Sequence, residues 1–257
     1  MEKIIENHLV ILSEKWNSVF NVQKSTIKAI YLYSSYVKDD FIPYRSDIDF
    51  MVFLDTDTDE PHWAHPEFIE FQKVTREVFK DIPERFLRQD SPDMVSQSIY
   101  ELELASLGKL TTCIGPQNYL TFMAFDLQQY NRLLWGKDVL KDFPYQADPL
   151  MFENERLKWL QKVNTDRIRK NAPVNYKLLI SLGSTLRYHA ILNGLRRLYK
   201  EDLHNWCIDY YTSKDDLYII EKHFEYILGK TDNLPYLDEK WVRLAKSFVK
   251  RELNLTA

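Results

Sequence analysis

Cysteine is nearly absent from this chain: Cys113 and Cys207 are the two in 257 residues. They lie far apart in apolar surroundings, with no CxxC pair and no histidine cluster. That excludes the disulfide framework of a small secreted domain and the ligand set of a zinc module, and leaves both as small packed hydrophobes. No apolar window approaches the 18 residues that would suggest a membrane span. The start, Met1-Glu2-Lys3-Ile4-Ile5-Glu6, lacks the basic-then-apolar order of a secretory signal, so a cytoplasmic location is expected. Cationic excess is missing too. A net charge of -4 argues against a generic nucleic-acid coat and leaves room only for a local basic groove. There is no internal repeat and no low-complexity tract. What remains is an ordinary composition, 45% hydrophobic, able to fill one large core or two modest ones.

Against that background the stretch Ser46-Asp47-Ile48-Asp49, followed by Phe50-Met51-Val52-Phe53-Leu54, carries the most information. Side chains alternate along a strand, so Asp47 and Asp49 share a face about 7 Å apart while Ile48 points into the opposite layer. A turn that merely solvates a strand entrance has the same composition. Two such carboxylates can also hold a pair of Mg²⁺ ions for in-line phosphoryl displacement. Upstream, Ala29-Ile30-Tyr31-Leu32-Tyr33 is a strand-type run that stops at Ser34-Ser35. A hairpin-like return over Tyr36 to Arg45 would bring that turn beside the aspartates. Its backbone N–H groups and hydroxyls could then cradle phosphate.

Leu32-Tyr33-Ser34-Ser35 followed by Tyr44-Arg45-Ser46-Asp47-Ile48-Asp49 resembles the Gly-Ser, spacer, Asp-x-Asp signature of nucleotidyltransferases related to DNA polymerase β. Within that superfamily it is most similar to the aminoglycoside nucleotidyltransferases, the adenylyltransferases among them. The resemblance implies an α/β catalytic domain, a small mixed sheet with flanking helices, joined to an all-α helical bundle. It also implies two Mg²⁺ ions, ATP or another NTP as co-substrate, and a small hydroxyl-bearing acceptor. The sequence departs from the pattern at Ser34, where these enzymes usually have glycine, and at Lys38-Asp39-Asp40, a stretch that is often glycine-rich. A Cβ at position 34 narrows the approach of a triphosphate.

Periodicity divides the chain. Ile4, Ile5, His8, Leu9, Leu12, Trp16 and Phe20 predict an opening amphipathic helix, and Glu67 to Lys80 predicts another, ended near Pro83. Met94 to Tyr100 alternates as a third strand, introduced by Ser91-Pro92-Asp93. From Asn118 onward the pattern is helical, with helices predicted over 119–134, 151–170, 174–193, 201–211, 214–228 and 238–253. Domains 1–140, catalytic, and 141–257, helical, are expected.

Two metals call for a third carboxylate. Asp93 stands at the predicted third strand's entrance and aligns with the catalytic carboxylate of the resistance enzymes, although it could equally cap the turn after Ser91-Pro92. Glu101 and Glu103 share a strand face if that strand runs on; otherwise they begin a helix over 101–110, where acidic side chains favour the dipole. Residues 151–200 hold 11 Lys and Arg against 3 Asp and Glu, a local +8 in a chain of -4. Such asymmetry suits a basic wall facing an acidic metal site across a triphosphate, although most of these charges belong to solvated helix faces. Leu182-Gly183-Ser184-Thr185-Leu186-Arg187, then Gly194, Lys200 and Trp206, resembles the C-terminal region of the aminoglycoside enzymes. That resemblance puts Arg187 and Lys200 on phosphate; a buried ion pair and a charged loop residue are the plainer alternatives. Trp135-Gly136-Lys137 is similar to the family's domain junction and reads as a packing feature. Trp206, Tyr210 and Tyr211 read as core or interface aromatics, and His62 and His65 as exposed loop histidines.

The expected activity is transfer of a nucleoside monophosphate, AMP from ATP, to a small-molecule hydroxyl with release of pyrophosphate. The metal ligands would be Asp47, Asp49 and Asp93, with Ser34, Ser35, Ser46, Arg187 and Lys200 on the nucleotide. The acidic loop Asp55 to Glu60 suits an aminoglycoside-type cation. The rival readings are a macromolecule-directed transferase, acting by protein AMPylation or tRNA-end addition, and a non-catalytic nucleotide-binding or toxin-neutralising partner. Nothing in the sequence fixes the oligomeric state.

Overall fold

The structure is a computed structural model. It describes residues 2–43, 46–55, 64–82, 85–86, 96–97, 100–106, 127, 129–142, 157–158, 160–162, 164, 175–196 and 199–255. The chain separates into two compact units, residues 1–85 with 96–148, and residues 149–257 with 86–95. Among the described residues no helix is long and apolar enough to cross a membrane.

In the first unit α1 (Glu2–Val19) buries Ile5, Leu9, Leu12 and Trp16, one stripe at helical spacing. β1 (Ile27–Tyr33) and β2 (Ile48–Leu54) are buried almost throughout, as strands covered on both faces must be. Their even-numbered residues, Ile30, Leu32, Phe50, Val52 and Leu54, join α1 and α2 (Pro66–Phe79) in one core. There Trp16 packs edge-on to Phe50 and against Phe71. The odd-numbered Ala29, Tyr31, Tyr33, Met51 and Phe53 form a second cluster with Leu127 on the opposite face. His65 caps α2 by accepting the Glu67 N–H at 3.3 Å, so it is a half-buried cap and not the exposed loop residue expected. Glu67 in turn accepts the Ile27 N–H at 3.0 Å, joining the helix start to the first strand.

The strands β3 (Arg85–Phe86) and β4 (Ser96–Gln97) pair as a two-stranded ribbon, while β5 (Tyr100–Ser106) and β6 (Asn131–Gly136) complete a four-stranded mixed sheet ordered β5-β2-β1-β6. β1 is antiparallel to both β2 and β6; β2 and β5 run parallel. Two expectations are corrected here. The strand beside the aspartates is 100–106, which removes a helix from 101–106; of the strand expected over 94–100, Ser96, Gln97 and Tyr100 are strand and the others lie outside the described residues. Residues 131–136 are likewise strand, not the tail of a helix. Gly136, at φ +90, is required by that pairing: a Cβ would lie 2.1 Å from the Lys28 carbonyl oxygen.

In the second unit the described helices are α3 (Asn175–Leu192), α4 (Lys200–Tyr210), α5 (Lys214–Ile227) and α6 (Glu239–Glu252), all within two residues of expectation. The described residues between 157 and 164 are also helical. Leu182, Leu186, Cys207, Ile219, Phe224, Trp241 and Phe248 fill the core. Burial pushes the Cys207 thiol up to about 12, in keeping with a packed, inert side chain. Arg251 pairs with Asp216 at 2.9 Å and with Glu252 at 2.7 Å, and Glu252 approaches His189 at 3.4 Å, so α3, α5 and α6 share one polar seam. Asp238 caps α6 through the Lys240 and Trp241 N–H groups.

Candidate active site

The first strand does not simply end at Tyr33. A single 3-10 turn, Ser34–Tyr36, follows, in which the Ser34 carbonyl accepts the N–H groups of Val37 and Lys38, each at 3.2 Å. Ser34 has φ +65, the left-handed conformation that glycine adopts freely and L-residues disfavour, and Asp39 follows with φ +55. Both lie where the resemblance would have glycine. The turn holds strain of about 1–2 kcal/mol at Ser34.

Because β1 and β2 are antiparallel, with Tyr33 opposite Asp49, this turn emerges beside the start of β2. Asp47 immediately precedes β2 and Asp49 is its second residue; both are half-buried. They belong to the odd-numbered face, away from α1 and α2. Ser46, at the same place, is turned inward: its hydroxyl accepts the Ile42 N–H at 3.0 Å while its own N–H donates to the Ile42 carbonyl at 2.9 Å. Its visible work is closing the loop that delivers Asp47. Across the sheet mouth, Asn131, Tyr33, Asp49 and Glu101 stand in one row of register partners. Glu103 lies one step deeper, opposite Met51.

The deeper part of the same face is closed. The Tyr31 hydroxyl donates to Asp138 at 2.8 Å and accepts the N–H groups of Val139 and Leu140, so the chain leaving β6 folds over Tyr31. Burial and the neighbouring carboxylate hold that phenol well above its ordinary range. Among the described residues no three His, Cys, Asp or Glu side chains gather into a metal-holding group. Asp47 and Asp49 nonetheless supply an all-oxygen, anionic donor pair of the kind Mg²⁺ takes. Asp93 lies outside the described residues, as do Tyr44, Arg45, His62, Cys113 and residues 56–60 of the acidic loop.

Two features beside the turn have no sequence signal. Lys38 is only 5% exposed, with its ammonium 5.5 Å from the Tyr130 ring centroid. Tyr36 donates its hydroxyl to Glu6 at 2.8 Å, and Arg132 grips the same carboxylate at 3.1 Å. Residues 126 positions apart meet there, which only the β1–β6 pairing reveals.

Arg187 and Lys200 belong to the helical unit. Arg187 sits half-buried on α3, and its charge together with burial lowers His223, on α5, to about 3, burial being the larger cause. Gly183 is small for that neighbour's sake, since a Cβ would meet the His223 ring at 3.2 Å. Lys200 is the first residue of α4 and is half-buried. Trp206 stacks on the exposed Tyr210 at 4.5 Å, while Tyr211 is buried against Phe248.

Residues 6–107 match the nucleotidyltransferase domain family. No curated protein matches the sequence. Among solved structures, the spectinomycin adenyltransferase AAD(9) from Enterococcus faecialis, with ATP and spectinomycin, superposes with a TM-score of 0.66 at 14% identity, covering 95% of this chain and 98% of that one. A toxin-antitoxin structure with AMP-PNP aligns at a TM-score of 0.27 and 17% identity over 60% of this chain and 91% of that one, too distant to bear on the fold.

Proposed function

We propose that this chain, whose residues 6–107 match the nucleotidyltransferase domain family, moves AMP from ATP to a hydroxyl of a small molecule in the cytoplasm and releases pyrophosphate. The observation that carries this reading is the meeting of a left-handed Ser34-Ser35 turn with Asp47 and Asp49 at one strand mouth. ATP is favoured as co-substrate by the ATP-bound neighbour, and an aminocyclitol or aminoglycoside acceptor by its spectinomycin.

Asp47 and Asp49 would hold Mg²⁺, which when bound neutralises phosphate charge and polarises phosphoryl oxygens. The Ser34-Ser35 backbone N–H groups and the Ser35 hydroxyl bind the terminal phosphates. The acceptor oxygen attacks the α-phosphorus, the bond from that phosphorus to the bridging oxygen breaks, and pyrophosphate departs. The acceptor's proton passes to a third carboxylate. Of the candidates Asp93, Glu101 and Glu103, we assign this to Glu101, which stands in backbone register beside Asp49. Arg187 and Lys200 would contribute cationic donors to the phosphates from the helical domain, taken as residues 141–257 beside a catalytic domain of 1–140. Ser46 supports the site by shaping the loop before Asp47.

The test is a matrix of the four NTPs with Mg²⁺ against spectinomycin, related aminocyclitols and aminoglycosides, scored by pyrophosphate release and by mass gain of the acceptor. ATP-dependent adenylation of one acceptor class is expected; modification of protein or RNA alone would redirect the reading to a macromolecular acceptor.

A further inference from the structure

The Ser34 turn is held in a disfavoured conformation, and something outside the turn must over-determine it. Tyr36, two residues on, links the turn to α1 and β6. Its hydroxyl donates to Glu6 on α1 at 2.8 Å. Both oxygens of that carboxylate accept from Arg132 on β6 at 3.1 Å, and the guanidinium lies 6.0 Å from the Tyr36 ring centroid. The Tyr36 ring also meets Phe41 edge-on at 5.2 Å. α1 is docked on β6 without the tyrosine, by the Glu6–Arg132 pair and by the Ser13 hydroxyl, which donates to the Leu134 carbonyl at 2.9 Å. The tyrosine hydroxyl is an additional link, and it leads to the turn.

We propose that Glu6, Tyr36 and Arg132 are positioning residues that set the Ser34-Ser35 turn for the terminal phosphates of the nucleotide. This rests on the reading of that turn as the phosphate cradle. The side chains of Glu6 and Arg132 are each more than two-fifths exposed, so the ion pair contributes little to global stability. Their function is local: tension on Tyr36 keeps the following residues in register with the left-handed Ser34. A carboxylate acceptor makes the phenol hydrogen bond a charge-assisted one, stronger than a neutral pair. Burial and Glu6 together keep the Tyr36 phenol protonated, so it remains a donor at every working pH. None of the three residues needs to touch the nucleotide.

The experiment uses the full chain and the variants Tyr36→Phe, Arg132→Met, Ser34→Gly and the double variant Tyr36→Phe with Ser34→Gly. Dissociation constants for ATP and for AMP, each with Mg²⁺, are measured by calorimetry beside thermal midpoints. Tyr36→Phe should weaken ATP about tenfold, the scale of one hydrogen bond to a charged group, leave AMP unchanged, and move Tm by no more than about 2 °C. Ser34→Gly, which adopts the turn without assistance, should restore most of the ATP affinity in the Tyr36→Phe background. If the native chain prefers ATP to AMP and Tyr36→Phe binds both as before, or weakens both equally, the positioning role is overturned while the phosphate turn stands. If the native chain binds ATP and AMP equally, the turn is not a phosphate cradle and both readings fall.

Discussion

Asp49 and Glu101 are register partners across the parallel pairing of β2 and β5. A parallel neighbour runs its chain in the same direction, so the entrances of both strands lie at one edge of the sheet. Tyr33, and Asn131 beyond it, complete the row on the other side. The row of register partners at this edge therefore spans all four strands.

The register separates Glu101 from Glu103. Glu101→Gln should lower turnover by about 10²–10⁴-fold, the range for losing a general base or a metal ligand, with Tm nearly unchanged. Glu103→Gln, one step deeper opposite Met51, should cost less than about tenfold. Steady-state kinetics of both, beside Asp93→Asn, decide the matter. A large loss in Asp93→Asn with native turnover in Glu101→Gln would move the role to Asp93.

Ser34 gives a prediction on stability. At φ +65 the Cβ costs about 1–2 kcal/mol, while glycine gives back roughly 0.5–1 kcal/mol in unfolded-state entropy. Ser34→Gly should leave Tm equal or raise it by about 2 °C, and Ser34→Val should lower it by several degrees, since a β-branched residue tolerates this region least. Differential scanning calorimetry reads both; a lowered Tm for the glycine variant would mean that the Ser34 hydroxyl is itself a structural anchor.

The same residue explains what was legible. Ser-Ser and D-x-D at a strand mouth are local signals, and the hairpin that joins them follows from turn chemistry and apolar runs. The helices of the second unit were readable because each carries its own 3.6-residue stripe and breaks. β6 was not, because Asn131–Gly136 is an edge strand without clean alternation; pairing with β1 overrides its helical reading. β5 carried the period-two pattern Tyr100-Glu101-Leu102-Glu103-Leu104, but the acidic residues imitate a helix start. The Glu6, Tyr36, Arg132 cluster depends wholly on tertiary pairing. Lys38 is similar, since nothing local marks a lysine that will be buried.

Arg187 can be tested by kinetics and stability together. If it serves phosphate, Arg187→Ala should reduce kcat/KM for ATP about thirtyfold, near 2 kcal/mol, with the fold intact. A fall in Tm with native kinetics per folded molecule would instead make it a structural partner of α5.

His223 predicts the acid limb of stability. Its folded-state value of about 3 lies below the ordinary histidine range, so the unfolded chain binds the proton more readily than the folded one. The stabilising contribution is fully present above about pH 6.5 and is lost as pH falls toward 3, with a slope approaching 1.4 kcal/mol per pH unit for one proton. Urea unfolding between pH 7 and 4 should show this slope, and His223→Leu should flatten it even if it changes stability at pH 7. An unchanged slope would mean that His223 stays solvated.

The most direct measurement of the central claim is pyrophosphate release from ATP with Mg²⁺ and the acceptor identified by the substrate matrix, comparing the native chain with Asp47→Asn and Asp49→Asn. The account predicts that each substitution lowers release by several orders of magnitude while circular dichroism and Tm remain close to native, because half-buried carboxylates at a strand entrance cost little to neutralise. Near-native release in either variant would contradict it.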